Sequence, residues 1–390
     1  MSQASLWVTR AVTPDRTLER VRVTIEDGRI AEVVSGVGAR AGDTRYEDAT
    51  LVPGLVDLQV NGGDGAAYDD PAPDARARAT SFHLQRGTTS LLATLISAPV
   101  EELEASLARL AADVDPAGPV IGIHLEGPFL SEEKCGAHAR AHLCDPTPER
   151  VGRLVRSGGD SLRMVTLAPE RAGAQDAIRR FRTAGVVVAA GHSRATMEQL
   201  REAIACGLSF MTHVGNASDW PGRPEDEKLG YRRSEPGMVG TFLCDARLRG
   251  SLIVDGRHLH PELVRALVEL RGADSVTLVS DATPAAGLPP GRYRMGGLEA
   301  EVHAEGYATA AGGLAGSVIP LVTALREAVR SAQLPLADAV RMATATPAGI
   351  LGLGQRKGRV APGFDADLLL LDADLCPRAV YRAGALLPGR

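Results

Sequence analysis

Aromatic side chains are scarce in this 390-residue chain, at 4% of the total. The formal net charge is −5, so there is no basic field to hold nucleic acid or an anionic membrane. Without interleaved rings there are also no platforms on which bases would stack. No apolar run approaches the roughly 20 residues of a membrane span. The opening MSQASLWVTRAV lacks the basic start and long apolar core of a signal peptide. Five cysteines occur, Cys135, Cys144, Cys206, Cys244 and Cys376. Their number is odd and none forms a CxxC pair, which argues against a disulfide framework and for a reducing compartment. The expectation is a cytoplasmic protein. What is present is ordinary for a globular chain: 44% apolar and 23% charged residues, with length enough for a large core.

The two ends share a β texture. Val21, Val23 and Ile25 alternate with Arg22 and Thr24, the period of a half-buried strand. Asp27-Gly28 supplies a tight turn, and Ile30 to Val34 reads as the return strand. Near the other end, Pro362-Gly363 precedes the apolar run from Leu368 to Leu371. The middle alternates. Strands are expected at 55–60, 90–95, 120–125, 163–167, 186–190, 209–212, 250–254 and 277–280, and helices at 101–111, 196–206 and 261–270. Eight strands alternating with helices indicate an α/β fold, a (β/α)8 TIM-like barrel, with a doubly wound sheet as the alternative.

Barrel enzymes carry their chemistry at the C-terminal ends of the strands. Residues of metal-ligand or acid–base type fall on those ends. His124 and Glu126 close VIGIHLEGPF, His192 follows VVVAAGHS, His213 follows LSFMTH and Asp281 follows TLVSDA. Singly, each has a plainer reading: a strand-end His is usually a hydrogen-bonded residue, and Asp281 before Ala-Thr suits a helix N-cap. Together, on near-successive strands, they argue against coincidence. Imidazoles and a carboxylate suit Zn²⁺ or Fe²⁺. An ion on Glu126, His192 and His213 would leave a position for water, with Asp281 beside it as general base.

Longer stretches carry a resemblance. PGLVDLQVNGGDG (53–65), GIHLEGPFLSEEKCGAH (122–138), AGHSRATMEQL (190–200), MTHVGNA (211–217), VDGRHLHP (254–261), SDATPAAGLPPGRYRMGG (280–297) and GGLAGS (312–317) run in order over nearly the whole chain. They resemble the N-acetylglucosamine-6-phosphate deacetylases of the amidohydrolase superfamily. The resemblance implies a small β-sandwich domain from residues 1–52 plus 346–390 and a hydrolase barrel over 53–345. It implies removal of acetyl from an N-acetylated amino-sugar phosphate, the small-molecule partner, with no nucleic acid and no membrane.

Carried over by position, Glu126, His192 and His213 match the metal ligands and Asp281 the catalytic acid and base. His138 matches the His that polarises the acetyl carbonyl, with Ala137 beside it. Asn216 and Ala217 match the pair that holds the sugar phosphate, and Leu314 in GGLAGS matches a substrate contact. His258 matches a substrate-contacting His donated across a dimer interface, so a homodimer is expected. Many amidohydrolases carry His-x-His after the first barrel strand. Here Gln59-Val60-Asn61 stands there, amides being poor ligands, so one divalent ion per subunit is expected and the second-metal position is weak.

The chain departs from the family text in the NASDWPGRPEDEKLGYRRSEPG loop (216–237). Ser234 stands where a phosphate-clamping Arg is usual, leaving Arg233 or Arg232 to reach the anion. Asp219, Glu225, Asp226 and Glu227 bring negative charge, most simply read as a solvated face. GAHAR (136–140) also replaces the usual Asn-Pro after the His. These departures bear on the phosphate rather than on the chemistry. The galactosamine epimer or an unphosphorylated or modified sugar stays open as substrate, and a catalytically dead sugar-binding barrel is the rival reading.

Overall fold

All six residues of Leu55–Val60, all eight of Thr88–Leu95 and all seven of Val120–Glu126 are buried. Continuous burial, rather than alternation, marks strands covered on both faces. In the computed structural model, which describes residues 3–220, 235–295, 298–310 and 313–388, these strands begin an eight-stranded parallel sheet. Leu162–Leu167, Val187–Ala190, Phe210–Met211, Arg249–Ile253 and Val276–Val279 complete it in chain order. The last strand returns to the first. Val60 bridges Ala282 in parallel, Asp281 N–H donates to the Gln59 carbonyl at 3.0 Å, and Asn61 N–H to that of Ala282 at 2.8 Å. The sheet is therefore a (β/α)8 barrel and not a doubly wound sheet. Each expected strand is present, with ends displaced by a residue or two.

The helices form where the apolar spacing placed them. Val100–Asp113 buries Leu103, Leu107 and Leu110 on one face. Met197–Cys206 starts from Thr196, whose hydroxyl accepts from Gln199 N–H while the Gln199 side chain accepts from Thr196 N–H, a reciprocal cap. Inside the barrel, Leu58, Leu92, Ile121, Met164 and Phe210 fill one end, closed by Ala348 and Leu351 from around the helix Ala345–Ile350. That apolar plug leaves the C-terminal end of the strands for polar residues.

Both chain ends meet in a second sheet of seven strands. Leu368–Leu371 pairs antiparallel with Thr44–Pro53, which runs parallel to Gln3–Val12. Its separate apolar cluster includes Leu6, Val8, Val23, Leu51 and Leu370.

An antiparallel sheet that the sequence did not announce follows the eighth barrel strand. It comprises Gly291–Met295, Leu298–Val302, Ala308–Ala310 and Gly313–Leu314. Ala300 and Val302 are buried and Glu299 and Glu301 exposed, so one face packs on Ala285 and Ala315 and roofs the open end of the barrel.

Candidate active site

On a strand, residues two apart share a face. His124 and Glu126 on the third barrel strand therefore share the inner face, and Gln59 reaches the same centre from the first strand, where the register against the second shifts between Asp57 and Val60, with Asn61 just beyond it. The loops after the fifth and sixth strands add His192 and His213. One ligand atom from each of Glu126, His192 and His213 lies within 4.8 Å of the others, and all three residues are buried. Glu126 Oε1 is 3.0 Å from His213 Nε2 and 3.5 Å from His192 Nε2, and Oε2 is 3.6 Å from His138 Nε2.

Hydrogen bonds on the far side of two of the rings, His192 and His138, decide which nitrogen faces inward. His192 Nδ1 lies 2.8 Å from the Lys134 carbonyl, which can only accept, so Nδ1 carries a proton and Nε2 is the nitrogen that faces Glu126. In the loaded site, Nε2 and the Glu126 oxygen 3.5 Å away would share a metal ion between them. His213 Nδ1 is buried without a partner. His138 has the opposite tautomer: Ser97 N–H donates to its Nδ1 at 3.2 Å, with the Ser97 hydroxyl at 2.9 Å. Its Nε2–H then points inward as a donor.

Asp281 is not a helix cap, because no helix follows it. Its Oδ1 accepts from Gln59 Nε2 at 3.0 Å and from Asn61 Nδ2 at 2.8 Å. Burial first, and then the negative charge of Glu126, push the Asp281 carboxyl up to about 6. Burial also works to raise Glu126, but the three imidazoles outweigh it and hold that carboxyl well below the usual range. His124 stands apart. Its Nε2 meets the Thr166 hydroxyl at 2.8 Å, which meets that of Thr212 at 2.7 Å, and burial lowers the ring to about 4.

The backbone beneath these groups is unusual. His192, His213, Ala217 and Asp281 have φ of 49°, 31°, 45° and 47°, left-handed values that cost non-glycine residues energy and concentrate at functional sites. Local bonds hold them there. The Ser251 hydroxyl accepts from His213 N–H at 2.8 Å, and Glu170 accepts from the Ser193 hydroxyl at 2.6 Å and Arg194 N–H at 2.7 Å. Gly136 lies against the site: at its φ of 56°, a Cβ would come within 3.2 Å of His192 Cε1.

A cavity of about 440 Å³ opens over this centre. The expected residues Asn61, Ala137, His138, Asn216, Ala217, His258, Asp281 and Leu314 line it together with the Glu126, His192 and His213 group. Gln59 lies beneath it. His258 differs from expectation, since it lines the cavity of its own chain and needs no second subunit to bring it there. Its Nδ1–H donates to Asp255 at 2.8 Å, and that bond outweighs burial to keep Asp255 below the usual range. Asp219 is half-buried and paired rather than free on a solvated face: its oxygens face Lys134 at 2.6 Å and Arg194 at 3.7 Å. Arg232, Arg233, Ser234 and the acidic residues 225–227 lie outside the described residues.

The sequence profile of the amidohydrolase family matches residues 50–386. This chain belongs to that family. Among the relatives of this amidohydrolase is an Escherichia coli O157:H7 N-acetylgalactosamine-6-phosphate deacetylase, 33% identical over 97% of each chain. A Bos taurus N-acetylglucosamine-6-phosphate deacetylase is 33% identical over 98% of this chain and 91% of its own. The solved N-acetyl-D-glucosamine-6-phosphate deacetylase of Mycobacterium smegmatis superposes with a TM-score of 0.91 at 37% identity, covering 99% of this chain and 100% of its own. A variant of it was solved in complex with N-acetyl-D-glucosamine-6-phosphate.

The family is metal-dependent, and this amidohydrolase has a buried Glu–His–His group whose converging carboxylate oxygen and imidazole nitrogens fit a divalent ion. At the Gln59–Asn61 position the amides are already engaged. Gln59 Nε2 donates to both Glu126 Oε1 and Asp281 Oδ1, each at 3.0 Å. These bonds use the amide nitrogen, whereas a metal would take amide oxygens, a weaker donor type than imidazole, and that of Asn61 is buried without a partner among the described residues. Sequence reasoning missed Ser97, Glu170 and Ser251, which orient His138, His192 and His213. Ser and Glu in loops are too common to stand out.

Proposed function

We propose that this chain hydrolyses the acetamide of N-acetylglucosamine 6-phosphate, releasing acetate and glucosamine 6-phosphate. The observation that carries the reading is the convergence of Glu126, His192 and His213 beneath a cavity whose wall presents Asp281 and His138. A divalent ion, Zn²⁺ or Fe²⁺, held once per subunit by Glu126, His192 and His213, would supply Lewis-acid polarisation and make water acidic. Asp281 Oδ1 is committed to two amide donors, so Oδ2 is the oxygen that takes the proton from water. His138 Nε2–H donates to the acetyl oxygen as it gains charge. Asp281 then returns its proton to the leaving amine, which makes one carboxylate base and then acid.

The test is acetate release from N-acetylglucosamine and N-acetylgalactosamine, each with and without the 6-phosphate. The proposal expects the phosphorylated gluco sugar to react fastest, and equal rates with and without phosphate would overturn it. A second reading, the galactosamine 6-phosphate epimer, is favoured by a relative named for that substrate with 33% identity; the same panel separates the two. The proposal extends to a β domain of residues 1–52 plus 346–390, a barrel domain of residues 53–345, a cytoplasmic location and a homodimer, the last no longer on the strength of His258. Arg233 is retained as a phosphate contact.

A further inference from the structure

A sugar phosphate brings about two negative charges into the cavity. Among the described residues that line it are four carboxylates, Asp69, Glu126, Glu133 and Asp281, and one ammonium or guanidinium group, that of Lys134. Lys134 is fixed in place by its backbone, since its carbonyl accepts from His192 Nδ1. Its Nζ sits 2.6 Å from Oδ1 of Asp219, two residues beyond Ala217. The corner is held by Ser193 N–H donating to the Ala217 carbonyl at 3.2 Å. On the same corner Asn216 Nδ2 is a buried donor with no acceptor among the described residues.

The Lys134–Asp219 pair is suited to exchange. The two side chains are 29% and 33% exposed, and an ion pair so exposed adds little stability. The other oxygen of Asp219 faces Arg194 Nε at 3.7 Å, so Asp219 keeps a cation when Lys134 leaves. A phosphate carries more charge than the carboxylate and offers three acceptor oxygens.

We propose that Lys134 reads the anionic group of the substrate, exchanging the Asp219 carboxylate for phosphate oxygens, with Asp219 its resting partner. This rests on the sugar-phosphate reading above. Lys134 is then a specificity-determining residue, and its contribution appears as the preference for the phosphorylated sugar rather than in the chemistry at the acetamide.

The experiment measures kcat/KM for N-acetylglucosamine with and without its 6-phosphate in the metal-loaded wild type and in Lys134→Met, Lys134→Arg and Asp219→Asn. Losing one charge-assisted hydrogen bond corresponds to roughly a 10- to 100-fold fall in the phosphate preference. Lys134→Met should show that fall, mostly through KM, and Lys134→Arg should recover part of it. Asp219→Asn should lower KM for the phosphorylated sugar. Inorganic phosphate should inhibit Lys134→Met more weakly than wild type. A preference that survives Lys134→Met, or an equal loss on both sugars, overturns the role of Lys134. A KM that rises in Asp219→Asn overturns the exchange. A wild type with no preference instead sinks the phosphate reading itself.

Discussion

Replacing Gln59 with leucine keeps the volume and apolar fit of a buried side chain but deletes one amide. That amide donates at 3.0 Å to Glu126 Oε1 and at 3.0 Å to Asp281 Oδ1, so one substitution removes a donor from each of the two carboxylates. A hydrogen bond to a charged acceptor contributes about 1.5–3 kcal/mol. Asp281 retains Asn61 at 2.8 Å, so the net loss should be nearer one such bond than two, or roughly 10- to 100-fold in kcat/KM. The pH profile should change as well. Asp281 is already pushed up to about 6, by burial and then by Glu126. Losing a donor to its ionised form raises it further. Ionised Asp281 is the active form, so the acid limb should move to higher pH. The assay is acetate release against pH, with metal content measured beside it. An unmoved acid limb together with kcat/KM within about twofold of wild type would refute the view that this amide orders both carboxylates.

Two further substitutions test the support around the site. Gly136→Ala places a Cβ 3.2 Å from His192 Cε1 at a φ of 56°, so metal affinity and kcat should both fall, as equilibrium dialysis and acetate release would show; wild-type metal binding would contradict the close approach. Asp57→Asn concerns stability. Burial raises Asp57 from 3.8 to about 7, against the donors from Ser280. A carboxyl raised on folding favours the native state below its unfolded value and loses that contribution as pH rises through the folded one. The loss spans about pH 4 to 7 and is on the order of 4 kcal/mol. The Asn variant lacks this titration, so its Tm relative to wild type should climb across that window; a constant difference would show that Asp57 does not titrate there.

Much of this architecture was legible in the sequence. Strands buried on both faces read as largely apolar runs, which is why Val120–Glu126 stood out, as did Leu55–Val60 despite Asp57 and Gln59. The same runs end at Glu126, His192, His213 and Asp281, so the site could be placed from residue order alone. The details that make it work could not. The tautomers of His138 and His192 are set by Ser97 and the Lys134 carbonyl, contacts between segments far apart in sequence. The positive φ values at His192, His213 and Asp281 fall on residue types that adopt them more readily than most but still uncommonly, so nothing in the sequence marked them. Gln59 read as a failed metal ligand, whereas its two donated hydrogen bonds become visible only once the barrel closes. The roof sheet was hidden because its inner face is built largely of alanine, too weakly apolar to mark a strand.

The most direct test is the metal content of purified Glu126→Ala, His192→Ala, His213→Ala and Asp281→Asn proteins, read beside acetate release from each. Wild type and Asp281→Asn should hold one ion per chain, the three ligand variants under about a tenth of that, and all four variants should lose turnover by orders of magnitude. Full metal in a ligand variant, or near-normal turnover in Asp281→Asn, would contradict the account.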